Sequence, residues 1–63
     1  MEVKIYYSRD SVFFKTGTRT TILEDVEEIH YRYTDGHRIA FEMGDTGYTY
    51  NVEDIREFEA IKQ

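Results

Sequence analysis

The sequence predicts an all-β fold, a small antiparallel meander or barrel of six or seven short strands. Three observations carry this expectation. Six Tyr, four Phe, ten Val plus Ile and seven Thr make up 27 of the 63 residues. These types fit a pleated, half-buried surface and lose χ1 freedom in a helix. Apolar and polar residues alternate through most of the chain, the two-residue period of a strand with one buried face. Gly and Asp fall between these runs as turn punctuation.

Length and composition bound the rest. Sixty-three residues suit a single domain and leave no room for a doubly wound or TIM-barrel enzyme. With no Cys, neither a disulfide scaffold nor a thiolate zinc site is available. No apolar run approaches the ~20 residues of a membrane span, and Met1-Glu2-Val3-Lys4 lacks a signal-peptide profile, so a cytoplasmic protein with no membrane contact is expected.

The first strand is read over residues 2–7, with Val3, Ile5 and Tyr7 on one face. A second is read over Val12, Phe14 and Thr16, joined to the first by a turn across Arg9-Asp10. That turn would pair Tyr7 with Val12, Ile5 with Phe14, Lys4 with Lys15 and Tyr6 with Phe13. A short strand from Arg19 to Leu23 follows, then a short acidic turn at 23–26.

Residues 28–34 alternate cleanly, Ile29, Tyr31 and Tyr33 against Glu28, His30, Arg32 and Thr34. A three-residue loop, Thr34-Asp35-Gly36 with Gly36 left-handed, pairs Tyr31 with Ile39 and Ile29 with Phe41. It also sets Arg32 opposite Arg38 and Glu28 opposite Glu42. Burial outweighs exposed like-charge pairs worth a few tenths of a kcal/mol, so this register is expected over a two-residue loop. A four-residue turn, Gly44 to Gly47, would then pair Met43 with Tyr48, Phe41 with Tyr50 and Ile39 with Val52.

The C-terminus supports two readings. In one, a tight acidic turn at 52–55 leads into a strand from Arg56 to Lys62 that pairs with the first strand and closes a barrel. In the other, Val52, Ile55, Phe58 and Ile61, three apart, line a helix over 52–62 beside a five-stranded antiparallel sheet, an α+β fold. An internal match favours the strand. Leu23-Glu24-Asp25-Val26-Glu27-Glu28-Ile29 parallels Val52-Glu53-Asp54-Ile55-Arg56-Glu57-Phe58, which suggests a duplication of about 3–28 and 29–58.

Chemistry-bearing motifs are sparse. Asp45-Thr46-Gly47 resembles the triplet of the aspartic-protease family over three residues, and reads as a Gly-flanked hairpin turn. His30 and His37 read as surface histidines, with His30 near Glu28 and Glu42 on a polar face. A metal site would require Asp35 or Glu42 to converge from opposite faces, so no metal, cofactor or catalytic residue is assigned. Residues 16–21 hold the ingredients of a backbone anion site without a phosphate-loop pattern.

Charge is uneven within the overall −5. Basic residues prevail up to position 22 and acidic ones beyond it. Two surfaces follow as candidates. Lys4, Tyr6, Phe13 and Lys15 with Arg9 form a Lys/aromatic patch for a small ligand, a nucleotide or single-stranded nucleic acid. Asp25, Glu27, Glu28, Asp54, Glu57 and Glu59 form an acidic surface for a basic protein partner. The expected function is a non-enzymatic protein-interaction module, an inhibitor or modulator docking on a larger partner. Ligand binding through the patch is the alternative, and the net charge disfavours nucleic acid. Aromatics on both faces of a small sheet also predict self-association.

Overall fold

A computed structural model describes residues 1–32 and 36–61. In chain order these form β1 (Glu2–Tyr7), α1 (Val12–Lys15), β2 (Thr20–Leu23), β3 (Glu28–Arg32), β4 (Arg38–Met43) and β5 (Thr46–Asn51). A 3-10 turn over Val52–Asp54 then leads into β6 (Ile55–Ile61). The strands build two antiparallel sheets, β2-β1-β6 and β3-β4-β5. The small β-rich fold is as the alternation predicts, but no barrel closes: among the described residues no ladder joins the two sheets.

The acidic segments are the reason. Each carries the chain from one sheet to the other instead of prolonging a pairing. Residues 24–27 lead from β2 to β3, and Val52–Asp54 leads from β5 to β6. The first bends at Asp25, whose φ of 58° lies in the left-handed region that Asp tolerates better than most side chains. Its position is fixed by Val26, whose N–H donates to the Met1 carbonyl at 2.8 Å while its own carbonyl accepts from Met1 N at 2.8 Å.

The C-terminal segment is a strand, not a helix. β6 lies antiparallel on β1, with Val3 opposite Ala60 and Ile5 opposite Phe58. A bulge between Tyr6 and Tyr7 then places Ile55 opposite Tyr7 and leaves Arg56 as the extra residue. Ile55 and Phe58 therefore both pack against the core although they are three apart. The same spacing that imitates a helix is the signature of this bulge.

The expected second strand is helical, and the pairs Tyr7–Val12, Ile5–Phe14, Lys4–Lys15 and Tyr6–Phe13 do not form. β1 pairs instead with β2, Val3 opposite Leu23, Ile5 opposite Thr21 and Tyr6 opposite Thr20. Val and Phe are poor helix formers, so the single turn depends on its ends. The buried Ser11 hydroxyl accepts from Phe13 N–H at 3.2 Å. At the other end Thr18 N–H donates to the Phe13 carbonyl at 2.8 Å and Gly17 N–H to the Phe14 carbonyl at 3.1 Å. This Schellman closure requires the left-handed backbone that Gly17 supplies at φ 106°. Packing completes the case: the Phe13 ring stacks on Tyr7 with centroids 4.7 Å apart.

In the second sheet, Ile29 opposes Phe41, Tyr31 opposes Ile39, Arg32 opposes Arg38 and Glu28 opposes Glu42, the predicted register. Gly36 has φ 94°, and the rest of that loop lies outside the described residues. The β4–β5 register differs from expectation by two residues. Phe41 faces Tyr48, Ile39 faces Tyr50 and Met43 faces Thr46. The loop is the two-residue turn Gly44-Asp45, with positive φ at Gly44 (58°) and not at Asp45. A glycine in that first position suits the tight primed turns whose twist matches the flanking strands. A two-residue shift returns every side chain to the same face, so the hydrophobic pattern tolerates either register.

The core lies between the sheets. Val3, Ile5, Tyr7 and Leu23 meet Ile39 and Phe41, with Val26 of the first crossover completing the cluster. Tyr7 O–H donates to Thr21 Oγ1 at 2.9 Å, and its oxygen lies 3.2 Å from the Tyr50 hydroxyl. Burial, reinforced by that hydrogen bond and by proximity to Tyr7 and then Tyr48, pushes the Tyr50 phenol well above its ordinary value of 10.0. The unfolded chain therefore gives up this proton first. The contribution to stability is complete below the ordinary value and declines as pH rises above it. Urea unfolding just below and well above pH 10.0 should show a loss that Tyr50→Phe reduces. Equal alkaline slopes in both proteins would contradict this account.

Candidate functional site

The five residues of the expected Lys/aromatic patch do not share one face. Lys4 and Tyr6 lie on the outer face of the first sheet, with the Lys4 Nζ 5.1 Å from the Tyr6 ring centroid. Phe13 instead stacks on Tyr7 and meets Tyr50 edge-on at 5.8 Å, so it belongs to the margin of the core. Lys15 sits in the last turn of α1. The pairing that brought these residues together assumed a second strand where the chain is helical.

A different cationic and aromatic cleft forms in its place. Tyr6, Tyr7, Arg9, Phe14, Arg19, Thr20 and Arg56 line a cleft of about 420 Å³. The Arg19 guanidinium lies over the Phe14 ring at 5.5 Å, and that of Arg56 over the Tyr6 ring at 5.5 Å. Arg56 reaches the outer face because the β-bulge frees it from the alternation that would have turned it inward. Of the five, Arg9 and Tyr6 remain in the cleft, and Tyr7, Phe14, Arg19, Thr20 and Arg56 are the additions. The three-residue apolar spacing of Ile55 and Phe58 was the available signal for the position of Arg56. The backbone N–H groups of Gly17 and Thr18 are spent on the helix cap, so the Thr-rich turn forms no backbone anion nest.

The acidic residues are dispersed. Glu57 and Glu59 stand opposite Tyr6 and Lys4 on the first sheet, while Glu28 stands opposite Glu42 on the second. Asp54 ends the 3-10 turn, its carbonyl accepting from Ser8 N–H at 2.8 Å. Glu57 and Glu59 share the outer face of β6, and Asp25 and Glu27 stay together at the first crossover, where Glu24 joins them. With Ile22, Leu23, Met43, Gly44, Thr46 and Tyr48 they line a groove of about 570 Å³ beside the first crossover. Tyr48 is its distinctive feature. Opposite the fully buried Phe41, it shares the core-facing side of the second sheet, yet 51% of it is exposed. On the other wall Ile22 is 54% exposed, because it alternates outward beside Leu23.

Glu28, His30 and Glu42 form a third grouping. Their ligand atoms lie within 4.8 Å of one another, all on the outer face of the second sheet, so Glu42 approaches His30 from the same side and not from the opposite one. His30 Nε2 is 2.7 Å from Glu28 Oε2 and 3.7 Å from Glu42 Oε2, and Arg32 Nη2 donates to Glu42 Oε1 at 3.4 Å. These groups satisfy one another across an exposed surface, and the Arg32 guanidinium beside Glu42 offsets part of the repulsion between Glu28 and Glu42. Asp45-Thr46-Gly47 supplies the Gly44-Asp45 turn and the start of β5, where Thr46 Oγ1 donates to the Met43 carbonyl at 3.2 Å. Among the described residues no helix is long and apolar enough to cross a membrane. Comparison with protein-family models, with curated proteins and with solved structures finds no match.

Proposed function

We propose that this chain is a non-enzymatic protein-binding module that acts as an inhibitor or modulator, holding a basic segment of a larger protein in the groove beside the first crossover. The observation that carries the reading is Tyr48, a core-facing aromatic that stays half exposed beside Ile22 and Met43. A large amphipathic ring lining a groove is a usual anchor of a protein interface. Glu24, Asp25 and Glu27 rim the same groove and favour a partner bearing Lys or Arg beside an apolar side chain. Carboxylates at the rim raise the association rate and discriminate among partners, while Ile22, Met43 and Tyr48 offer the apolar contact. A cytoplasmic partner suits a chain that is built without cysteine.

Selection from a displayed peptide library tests this directly. The selected sequences should combine an apolar anchor with flanking Lys or Arg and bind more weakly as salt rises. Tyr48→Ser should weaken them roughly tenfold or more, the loss typical of an interface anchor. Glu24→Lys combined with Glu27→Lys should remove the preference for basic peptides. Peptides that bind Tyr48→Ser equally well would end the proposal. So would a concentration-dependent dimer mass that Tyr48→Ser abolishes, because the occupant would then be a second copy of the chain.

A further inference from the structure

We propose that the cleft between α1, β1 and β6 is a phosphate-binding site for a compact ligand, with Arg19 and Arg56 as its principal donors and Arg9 at its edge. Three of the five arginines of this acidic chain converge there. They come from separate stretches of sequence and meet through the fold: Arg9 follows β1, Arg19 precedes β2, and Arg56 stands on the bulge of β6. Convergence of like charges is unfavourable unless an anion or solvent offsets it. Among the described residues, neither Arg9 nor Arg19 has a carboxylate partner, and Arg56 has Glu57, its Nη2 donating to Oε1 at 3.2 Å.

The aromatic rings explain why these cations are poised for a ligand. A guanidinium over a ring is held in place by the ring quadrupole, and a stacked ring contact uses none of its N–H donors. The N–H groups of Arg19 over Phe14 therefore remain available, as do those of Arg56 that Glu57 does not use. Planar guanidinium forks match the oxygens of a phosphate better than lysine ammonium groups do. Thr20 lies in the same lining, and its side chain carries a neutral donor.

Size and surrounding charge select the class of ligand. A cleft of about 420 Å³ falls within the range of small-molecule sites. A nucleic-acid strand would need a continuing basic track. Here Glu57 and Glu59 flank Tyr6 and Lys4 along β6, and the whole chain carries −5. A single phosphate group, free or on a small organic molecule, meets the arginines without running along those carboxylates.

Amide chemical shifts of the full chain, titrated at constant ionic strength with sodium chloride as the reference, provide the test. Inorganic phosphate and a nucleoside monophosphate should each produce saturable shifts at Tyr6, Arg19, Thr20 and Arg56. Tighter binding of the nucleotide assigns the site to a phosphorylated organic molecule, and equal binding assigns it to inorganic phosphate. Arg19→Gln and Arg56→Gln should each weaken binding about tenfold, the loss of a charge-assisted donor pair. Arg38→Gln, on the other sheet, should leave it unchanged, and urea unfolding should confirm that all three variants fold. Shifts equal to those from chloride, or binding unaffected by Arg19→Gln in a folded protein, would overturn the proposal. Affinity that climbs with the length of a single-stranded oligonucleotide would overturn the compact ligand.

Discussion

Phe41→Ala is expected to abolish the folded state at room temperature. The side chain is completely buried in the central strand of the second sheet. It meets Phe58 of the first sheet edge-on, centroids 5.4 Å apart at 86°, and Tyr50 at 6.1 Å and 70°. Removing such a ring costs ~3–5 kcal/mol, since lost transfer free energy and an unfilled cavity add. A chain of this length buries only about 60% of its unfolded surface, so its total stability belongs near the low end of the usual 5–15 kcal/mol range. The two quantities are comparable, and the loss decides the outcome. The amide spectrum should collapse in dispersion, while Phe41→Leu, which keeps most of the volume, should retain a cooperative transition. Tyr48→Ser provides the contrast: half of that ring is already in water, so the protein should stay folded. A Phe41→Ala protein with a wild-type urea midpoint would mean that the two sheets do not share this core.

Val26→Asp is expected to be nearly as damaging, although it changes a single residue in an already acidic run. Four carboxylates surround this position in sequence, at Glu24, Asp25, Glu27 and Glu28, and all are exposed. Val26 itself is 1% exposed and belongs to the core. A carboxylate there would be buried without a countercharge, at a cost of several kcal/mol, unless it took up a proton. The sign of the pH effect follows. Burial raises the folded-state pKa of the new Asp above its unfolded value, so the penalty is greatest at neutral pH. It shrinks as pH falls toward the unfolded value of about 3.9. Urea midpoints at neutral and mildly acidic pH should therefore converge for variant and parent as pH decreases. Glu27→Asp, one residue along and on the surface, should be silent. A Val26→Asp protein as stable as its parent at neutral pH would show that the first crossover does not anchor the sheets.

Much of the architecture was legible because alternation reports directly on burial. The Ile29–Phe41 and Tyr31–Ile39 pairings followed from requiring both strands of one hairpin to turn the same face inward, and they outweighed the exposed Arg32–Arg38 and Glu28–Glu42 pairs. The strand nature of Ile55–Ile61 followed from the internal match of the two acidic segments. The helix was missed because Val12, Phe14 and Thr16 satisfy the strand period. The competing signals were Ser11 as a cap and Gly17 six residues later, and they mattered more than the β-branched and aromatic composition between them. The candidate sites suffered most from this. Phe13 moved to the core margin, and Arg19 and Arg56 came together only once α1 and the β6 bulge were in place.

By itself, the sequence determined the β-rich class, the inward face of most strands, the β3–β4 register and the two acidic turns, because each depends on neighbours within one hairpin or on local turn chemistry. The expected pairing of the C-terminal strand with β1 forms, whereas the tertiary structure alone decided that β1 also pairs with β2, that Gly44-Asp45 closes a tight turn, and that two sheets face each other in place of a barrel. It also decided which charges converge. The physical reason is that a period of two specifies a face and nothing more. Slipping a strand by two residues, or exchanging its partner, leaves the face unchanged, and only burial between distant segments separates those arrangements.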